Sequence, residues 1–365
     1  MIRYYLDKNL LPAELKAKAD NKEIKLYQKI IPRNEVLQRL EKDENLISHL
    51  EKRNKILEEQ GSFYRYQAIP CGHCTACQLK YSAEWATRVM CECQQHENNY
   101  FITLTYDEIN LPIPEGANYG GNEYQNDGTW TGTLYPKDVD TFLNSLRKKF
   151  ERINHKGLKY LYCGEYGERT RRPHYHMILM NCPLDLKQFY DFYTDKTTKK
   201  IHWKSKELDE LWKKGMIDIG EVEWNSAAYV ARYCMKKISY EKDKTIYYSQ
   251  GKLPEFVRMS RRPGIGAEYF NKNAKELIKT DKLIMKNFHG QTATYKPPKA
   301  WDRKMEKLYP EEWEKIKLSR QEAAIRAAKI EKELTNATDL EKLEQKAQDI
   351  INKSKLLPRS FEQDF

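Results

Sequence analysis

Two histidines, His174 and His176, stand two apart in the run PHYHMIL. Alternation through that run predicts a strand at 174–180, and side chains two apart on a strand leave the same face of a sheet. Two neighbouring imidazoles are half of a metal site. The strand predicted at 159–165 ends on Glu165, and a tight turn at 169–173 brings that carboxylate beside the pair. Two histidines and one carboxylate with open positions suit a divalent ion that polarises a phosphoryl oxygen. Glu168, in the turn, is the competing carboxylate. Without an ion, the histidines read as a hydrogen-bonded surface pair.

A second group follows in SAAYVARYCMKK, where a helix is predicted at 226–238. Tyr229 and Tyr233 are four apart, so both hydroxyls leave one face, with Lys236 a turn beyond Tyr233. Arg232 and Lys237 lie close by. A phenol attacks a phosphate only where its anion and the phosphate charge are stabilised, which an opposed metal and a neighbouring lysine would supply. Core packing is the other use of two tyrosines at this spacing.

A third group is cysteine-rich. Cys71, Cys74 and Cys77 in PCGHCTACQ are spaced by three, and Cys91 and Cys93 come later across one predicted helix. Three cysteines with Cys91 as fourth ligand would close a tetrahedral zinc site, and His73 or His96 could replace one of them. Reduced buried thiols and an iron–sulfur cluster are the alternatives. Weaker signals are arginines: Arg169, Arg171 and Arg172 at the mouth of the histidine site, and Arg261 and Arg262 in MSRRPGIG, a Gly-rich turn able to cradle a phosphate.

The elements that must position these groups are predicted between 67 and 270. A helix at 79–96 leads to the alternating strand FITLTY at 101–106. A loop at 107–133 is longer than ordinary connections and therefore functional or mobile. Pro136 and Asp138 open a helix, then come strands 159–165 and 174–180, a mixed helical stretch to about 213, a strand at 216–224 and the tyrosine helix. The order β-α-β-β-α-β-α predicts an α+β fold, an antiparallel split-βαβ (RRM-like) sheet with helices on one face. Residues 1–66 read as a charged helical N-terminal extension, 67–270 as the core with a Cys-rich element at 71–93, and 271–365 as a charged helical C-terminal extension.

Composition narrows the partner. The chain has 365 residues, 64 Lys and Arg against 53 Asp and Glu, and a formal charge of +11. Residues 147–237 alone hold 20 basic and 12 acidic side chains, a surplus of 8. Basic charge is therefore concentrated around the histidines and tyrosines. The 25 tyrosines outnumber 11 Phe and 7 Trp, and aromatic faces among cations suit single-stranded nucleic acid. A 40% hydrophobic content excludes wholesale disorder. Apolar runs such as 101–104 and 177–180 are too short to span a membrane. The N-terminus lacks a continuous apolar stretch with a cleavage site, so a cytoplasmic location is expected. Eight cysteines in such a chain argue against a disulfide framework.

In order, FITLTY, PHYHMILM and YVARYCMKK resemble the three motifs of rolling-circle replication initiators of the HUH endonuclease superfamily. The paired tyrosines resemble the A proteins of phiX-type phages. The wider set PCGHCTACQ, EWATR, CGEYGE, RPHYH, AAYVARY and MSRRPGIG resembles the replication initiation proteins of gokushoviruses, small single-stranded DNA phages of the Microviridae. The likeness runs over about 70–266. It implies a metal-dependent single-strand endonuclease and strand-transfer ligase with Mg or Mn on His174, His176 and Glu165, and with Tyr229 and Tyr233 as successive nucleophiles. It also implies a single-stranded or supercoiled phage origin as substrate, the host cytoplasm as location, and a host polymerase and helicase as partners. No G-x-x-x-x-G-K-[ST] stretch occurs, consistent with ligation by exchange of phosphodiesters without a nucleotide cofactor. An HUH transposase or relaxase shares this chemistry. A noncatalytic nucleic-acid-binding protein with a zinc site is the reading from another class.

Overall fold

A computed structural model describes residues 2–7, 10–13, 15, 28–31, 46–68, 75–113, 132–151, 157–167, 170–195, 199–236, 247–286, 292–335 and six positions between 345 and 352. The chain forms two compact units, one of residues 1–77 with 333–354 and one of residues 78–332 with 355–365.

In the first unit, strand β1 (Ile2–Leu6) pairs antiparallel with β2 (Gln28–Ile31) and β3 (Tyr64–Ala68). Helix α1 (Leu46–Glu59) is tied to β3 by Asn54, whose amide donates to the Tyr66 carbonyl at 2.9 Å and accepts from the Tyr66 N–H at 2.6 Å. The Tyr4 ring packs on Tyr64 and Tyr66. The helical N-terminal extension expected from the Lys, Glu and Leu content is thus corrected to a small sheet with one helix. Aromatic alternation in IRYYL and YRYQA favours strands, a signal submerged in the charged background.

The second unit holds helix α2 (Thr75–Cys93, beginning at the boundary), strand β4 (Asn99–Thr105), helix α3 (Pro136–Glu151), strands β5 (Lys159–Tyr166), β6 (Pro173–Met180), β7 (Tyr190–Thr194) and β8 (Ile201–Lys204), helix α4 (Lys206–Trp212), strand β9 (Ile217–Glu221), helix α5 (Trp224–Lys236) and strand β10 (Phe256–Met259). The strands form one sheet in the order β10-β5-β6-β4-β9-β8-β7, antiparallel at every pairing. β4 and β5 both run antiparallel to β6, which lies between them. They are therefore parallel to each other, joined through α3.

Both faces of the sheet are covered, which is why its central strands are almost continuously apolar. Ile102, Leu104, Tyr162, Tyr175, Met177 and Leu179 pack against Phe142, Leu143 and Leu146 of α3 and Trp212 of α4. Phe101, Leu161, Cys163, Ile178 and Met180 pack on the other face against Val89 of α2 and Tyr229 and Val230 of α5. Helices on one face only were expected, so this too is a correction. The stretch expected to be mixed helical up to 213 contains β7 and β8 before the short α4. Their aromatic-rich runs YDFYT and IHWK are strand formers too brief to show a clear period.

The unit continues through helix α6 (Ala267–Thr280), the hairpin β11 (Leu283–Lys286) and β12 (Thr292–Tyr295), α7 (Lys299–Leu308) and α8 (Pro310–Leu334). Phe270, Leu277, Met285, Trp301, Met305 and Trp313 form a buried cluster with Cys91 of α2. The boundary expected at 270 therefore falls inside a packed unit, and the C-terminal part is not purely helical. Among the described residues, no helix is long and apolar enough to cross a membrane.

One buried carboxylate clamps three of these elements. Glu92 of α2 has no exposed side-chain surface and lies 2.6 Å from Lys159 Nζ on β5 and 2.9 Å from His96 Nε2. It also accepts the Gly266 N–H at 2.7 Å, just before α6. Burial would raise its pKa, but these partners together lower it to about 2. A folded pKa below the unfolded value gives stabilisation that is complete above about pH 4.5 and disappears as the pH falls towards 2. Glu92→Gln should cost about 3 kcal/mol at neutral pH, measured by urea unfolding, with the difference from the parent shrinking through that acid range. A difference independent of pH would contradict this role.

Candidate active site

The register of β6 builds the site. His174 pairs with Glu165 on one side and Thr105 on the other, and His176 pairs with Cys163 and Thr103. Paired residues face the same way, so Thr103, Cys163, Glu165, His174 and His176 share the sheet face covered by α2 and α5. One donor atom each from Glu165, His174 and His176 lies within 4.8 Å of the others. Glu165 Oε1 is 3.0 Å from His176 Nε2 and 3.6 Å from His174 Nε2. Glu165 and His176 are almost completely buried.

The other ring nitrogens are engaged by fixed partners. His174 Nδ1 is 3.1 Å from the Arg172 carbonyl, which only accepts, so Nδ1 carries the proton. His176 Nδ1 is 3.0 Å from Thr103 Oγ1, and the His176 ring stacks on Phe101 at 5.4 Å. Neutral His174 therefore turns its Nε2 lone pair towards an anionic oxygen. His176 Nε2, though 3.0 Å from Glu165, makes no hydrogen bond of acceptable geometry. Converging acceptors of this kind require a proton or a cation among them, so the donor set fits a divalent metal. Burial alone would raise the Glu165 pKa, but the two histidines hold it well below the usual carboxylate range. Burial opposes the His174 charge, but Glu165 outweighs it and raises that pKa; at His176 burial prevails and lowers it.

Helix α5 lays Tyr229 across this cluster. Its ring meets His176 edge-on at 5.2 Å, and its hydroxyl donates to Glu165 Oε1 at 3.5 Å. Ser226 orients the start of the helix by exchanging hydrogen bonds with the Glu223 backbone, both at 2.9 Å. Tyr233 and Lys236 follow on α5 one and two turns further. Their side chains, and that of Arg232, lie outside what the structure describes, as do Lys237, Glu168 and Arg169 altogether. Arg171 is exposed in the turn before β6. Arg172 donates to the Tyr106 carbonyl at 2.8 Å and braces that turn. Arg261 and Arg262 are exposed after β10, in a separate groove.

The cysteines divide. Cys71 and Cys74 lie outside the described residues, and Cys77 is partly exposed. Cys91 is fully buried with its sulfur 3.6 Å from that of Met285, and burial pushes its thiol up to about 12. These are the surroundings of a packed thiol, not of a zinc-bound thiolate, so Cys91 is corrected to a core residue. Thr103 was missed by the sequence reading. The signal was its place in FITLTY, on the face shared with His176 after pairing.

Thr103→Val should weaken manganese binding about tenfold by freeing the His176 ring, with Thr103→Ser restoring it, as read by calorimetry. Equal affinity in the valine variant would deny the hydroxyl this role. Affinity should also rise with pH through neutrality, because the raised His174 pKa makes protons strong competitors for the site. A pH-independent affinity would contradict the ligand assignment.

The same segment is what other proteins share. Residues 99–238, from the first residue of β4 to just past α5, match the family model described as replication-associated protein ORF2. The chain is 34% identical over 262 residues to the replication-associated protein ORF2 of Spiroplasma virus 4, covering 71% of this chain and 75% of that protein. It is 29% identical over 279 residues to the replication-associated protein VP4 of Bdellovibrio phage phiMH2K, covering 74% and 78%. Against the replication-associated protein ORF4 of Chlamydia phage 1 it is 28% identical over 221 residues, covering 60% and 50%. No solved structure matches the chain significantly. The family model and the extended likeness to the Spiroplasma virus protein show that the chain belongs to the ORF2 family of replication-associated proteins.

Proposed function

We propose that this protein initiates rolling-circle replication of a single-stranded phage DNA by nicking its origin and later rejoining the displaced strand. The observation that carries the reading is the Tyr229 hydroxyl, 3.5 Å from Glu165 Oε1 inside the Glu165, His174 and His176 cluster. A nucleophile and a metal-capable donor set thus meet at one point. The sheet is read as the HUH type, an RRM-like arrangement in which β6 splits the β4-α3-β5 unit.

Glu165, His174 and His176 would hold Mg or Mn, which supplies Lewis-acid stabilisation of the scissile phosphate. Tyr229 Oη attacks phosphorus, its proton leaves, and the bond from phosphorus to the 3′ oxygen breaks. The products are a 5′-phosphotyrosine and a free 3′-hydroxyl that a host polymerase extends. Glu165, kept strongly acidic by its histidines, acts as ligand and orienting acceptor rather than as base. Lys236 stabilises the phenolate. Tyr233 takes the second attack when the origin is regenerated, and the released 3′-hydroxyl closes the circle at the first phosphotyrosine. Each step exchanges one phosphodiester for another, so no nucleotide is consumed, and strand separation falls to a host helicase. Arg171 and its neighbours at the mouth of the site contact the DNA backbone.

With single-stranded viral DNA and Mg or Mn, the protein should form an adduct that survives denaturation. Tyr229→Phe should reduce the first adduct by at least about a thousandfold, and Tyr229→Phe with Tyr233→Phe should abolish it while DNA binding persists. An undiminished adduct in the double variant would overturn the mechanism.

A further inference from the structure

At the outer end of β5, away from the histidine site, lies a groove of about 550 Å³ whose walls include Arg147, Tyr160, Arg258, Ser260, Arg261 and Arg262. No acidic side chain lines it. Arg258 is neutralised by Asp140 at 2.8 Å. Arg147, Arg261 and Arg262 have no carboxylate partner among the described residues, and Arg261 and Arg262 are exposed. The Arg147 guanidinium lies over the Tyr160 ring at 5.4 Å, and Ser260 fixes the groove floor by accepting the Tyr160 N–H at 3.0 Å. Unpaired guanidinium groups around an aromatic face, with no opposing anion, form a receptor for a phosphodiester chain.

Its position relative to the site is set by strand geometry. Tyr160 and Glu165 are five residues apart on β5, so they occupy opposite faces of the sheet and lie about 17 Å apart along the strand. β10 is the edge strand beside β5, and the groove is built partly from its end. We propose that this groove holds the phosphate backbone of a DNA segment flanking the nicked one, with the nucleic acid passing round the β10 edge from one sheet face to the other. The inference rests on the DNA-processing reading above. It adds a second contact region and two residues, Arg147 and Tyr160, that no motif indicated.

The test is fluorescence anisotropy of the full chain with a labelled oligothymidine of about thirty nucleotides and with a mixed-sequence duplex of similar length, from about 50 to 300 mM salt. Arg147→Ala with Arg262→Ala should weaken binding roughly tenfold and reduce the single-strand salt slope by about 1.4, the contribution of two phosphates. Arg303→Ala with Arg326→Ala removes the same charge from α7 and α8 and serves as control. If the groove pair has no effect, or both pairs lower affinity equally, the groove proposal is overturned. If the unaltered protein binds neither DNA, the DNA-processing reading itself fails. Tyr160→Leu keeps the ring's packing volume but not its stacking. Loss of oligothymidine binding alone marks the occupant as single-stranded, and equal retention of both marks it as duplex.

Discussion

The site depends on a buried carboxylate that faces two imidazoles. Removing Glu165 from water disfavours its charge by several kcal/mol unless partners compensate, and here His174 and His176 provide that compensation. Their placement follows from strand register alone. Because His174 pairs with Glu165 and His176 with Thr103, a slip of one residue would turn both histidines to the opposite face. The register is held by the apolar alternation of β6, whose Met177 and Leu179 belong to one core and Ile178 and Met180 to the other. Core packing and active-site geometry are thus the same constraint.

Coverage of both faces gives the cluster its character. α5 closes over it with Tyr229, and α2 packs alongside, so the donors sit in a low-dielectric setting where a cation is strongly favoured. The helices are anchored by polar ties as well as by apolar contacts. The Glu92 junction joins α2, β5 and the start of α6. Arg88 of α2 donates to the Ile265 carbonyl at 2.9 Å. These ties fix the elements behind the site without using any of its ligands.

Much of this was legible in the sequence because its signals were local. The spacing of His174 and His176, Pro136 and Asp138 opening α3, and the helix bearing Tyr229 all depend on residues within one or two turns or strand lengths. Glu165 was legible because a short turn leaves few partners for its strand end. What escaped was non-local. Thr103 becomes a partner of His176 only through pairing across 73 positions, and Cys91 shows its packing role only when Met285 folds back on it. The strands of the N-terminal unit and β7 and β8 were hidden because four or five residues cannot establish a period against a Lys- and Glu-rich background.

The central claim is that Glu165, His174 and His176 together hold a divalent cation under Tyr229. Crystals grown with manganese and measured for anomalous scattering test it most directly. A peak within bonding distance of Glu165 Oε1, His174 Nε2 and His176 Nε2 is the predicted result. A crystal saturated with manganese that shows no peak there, with the three side chains ordered, would contradict it.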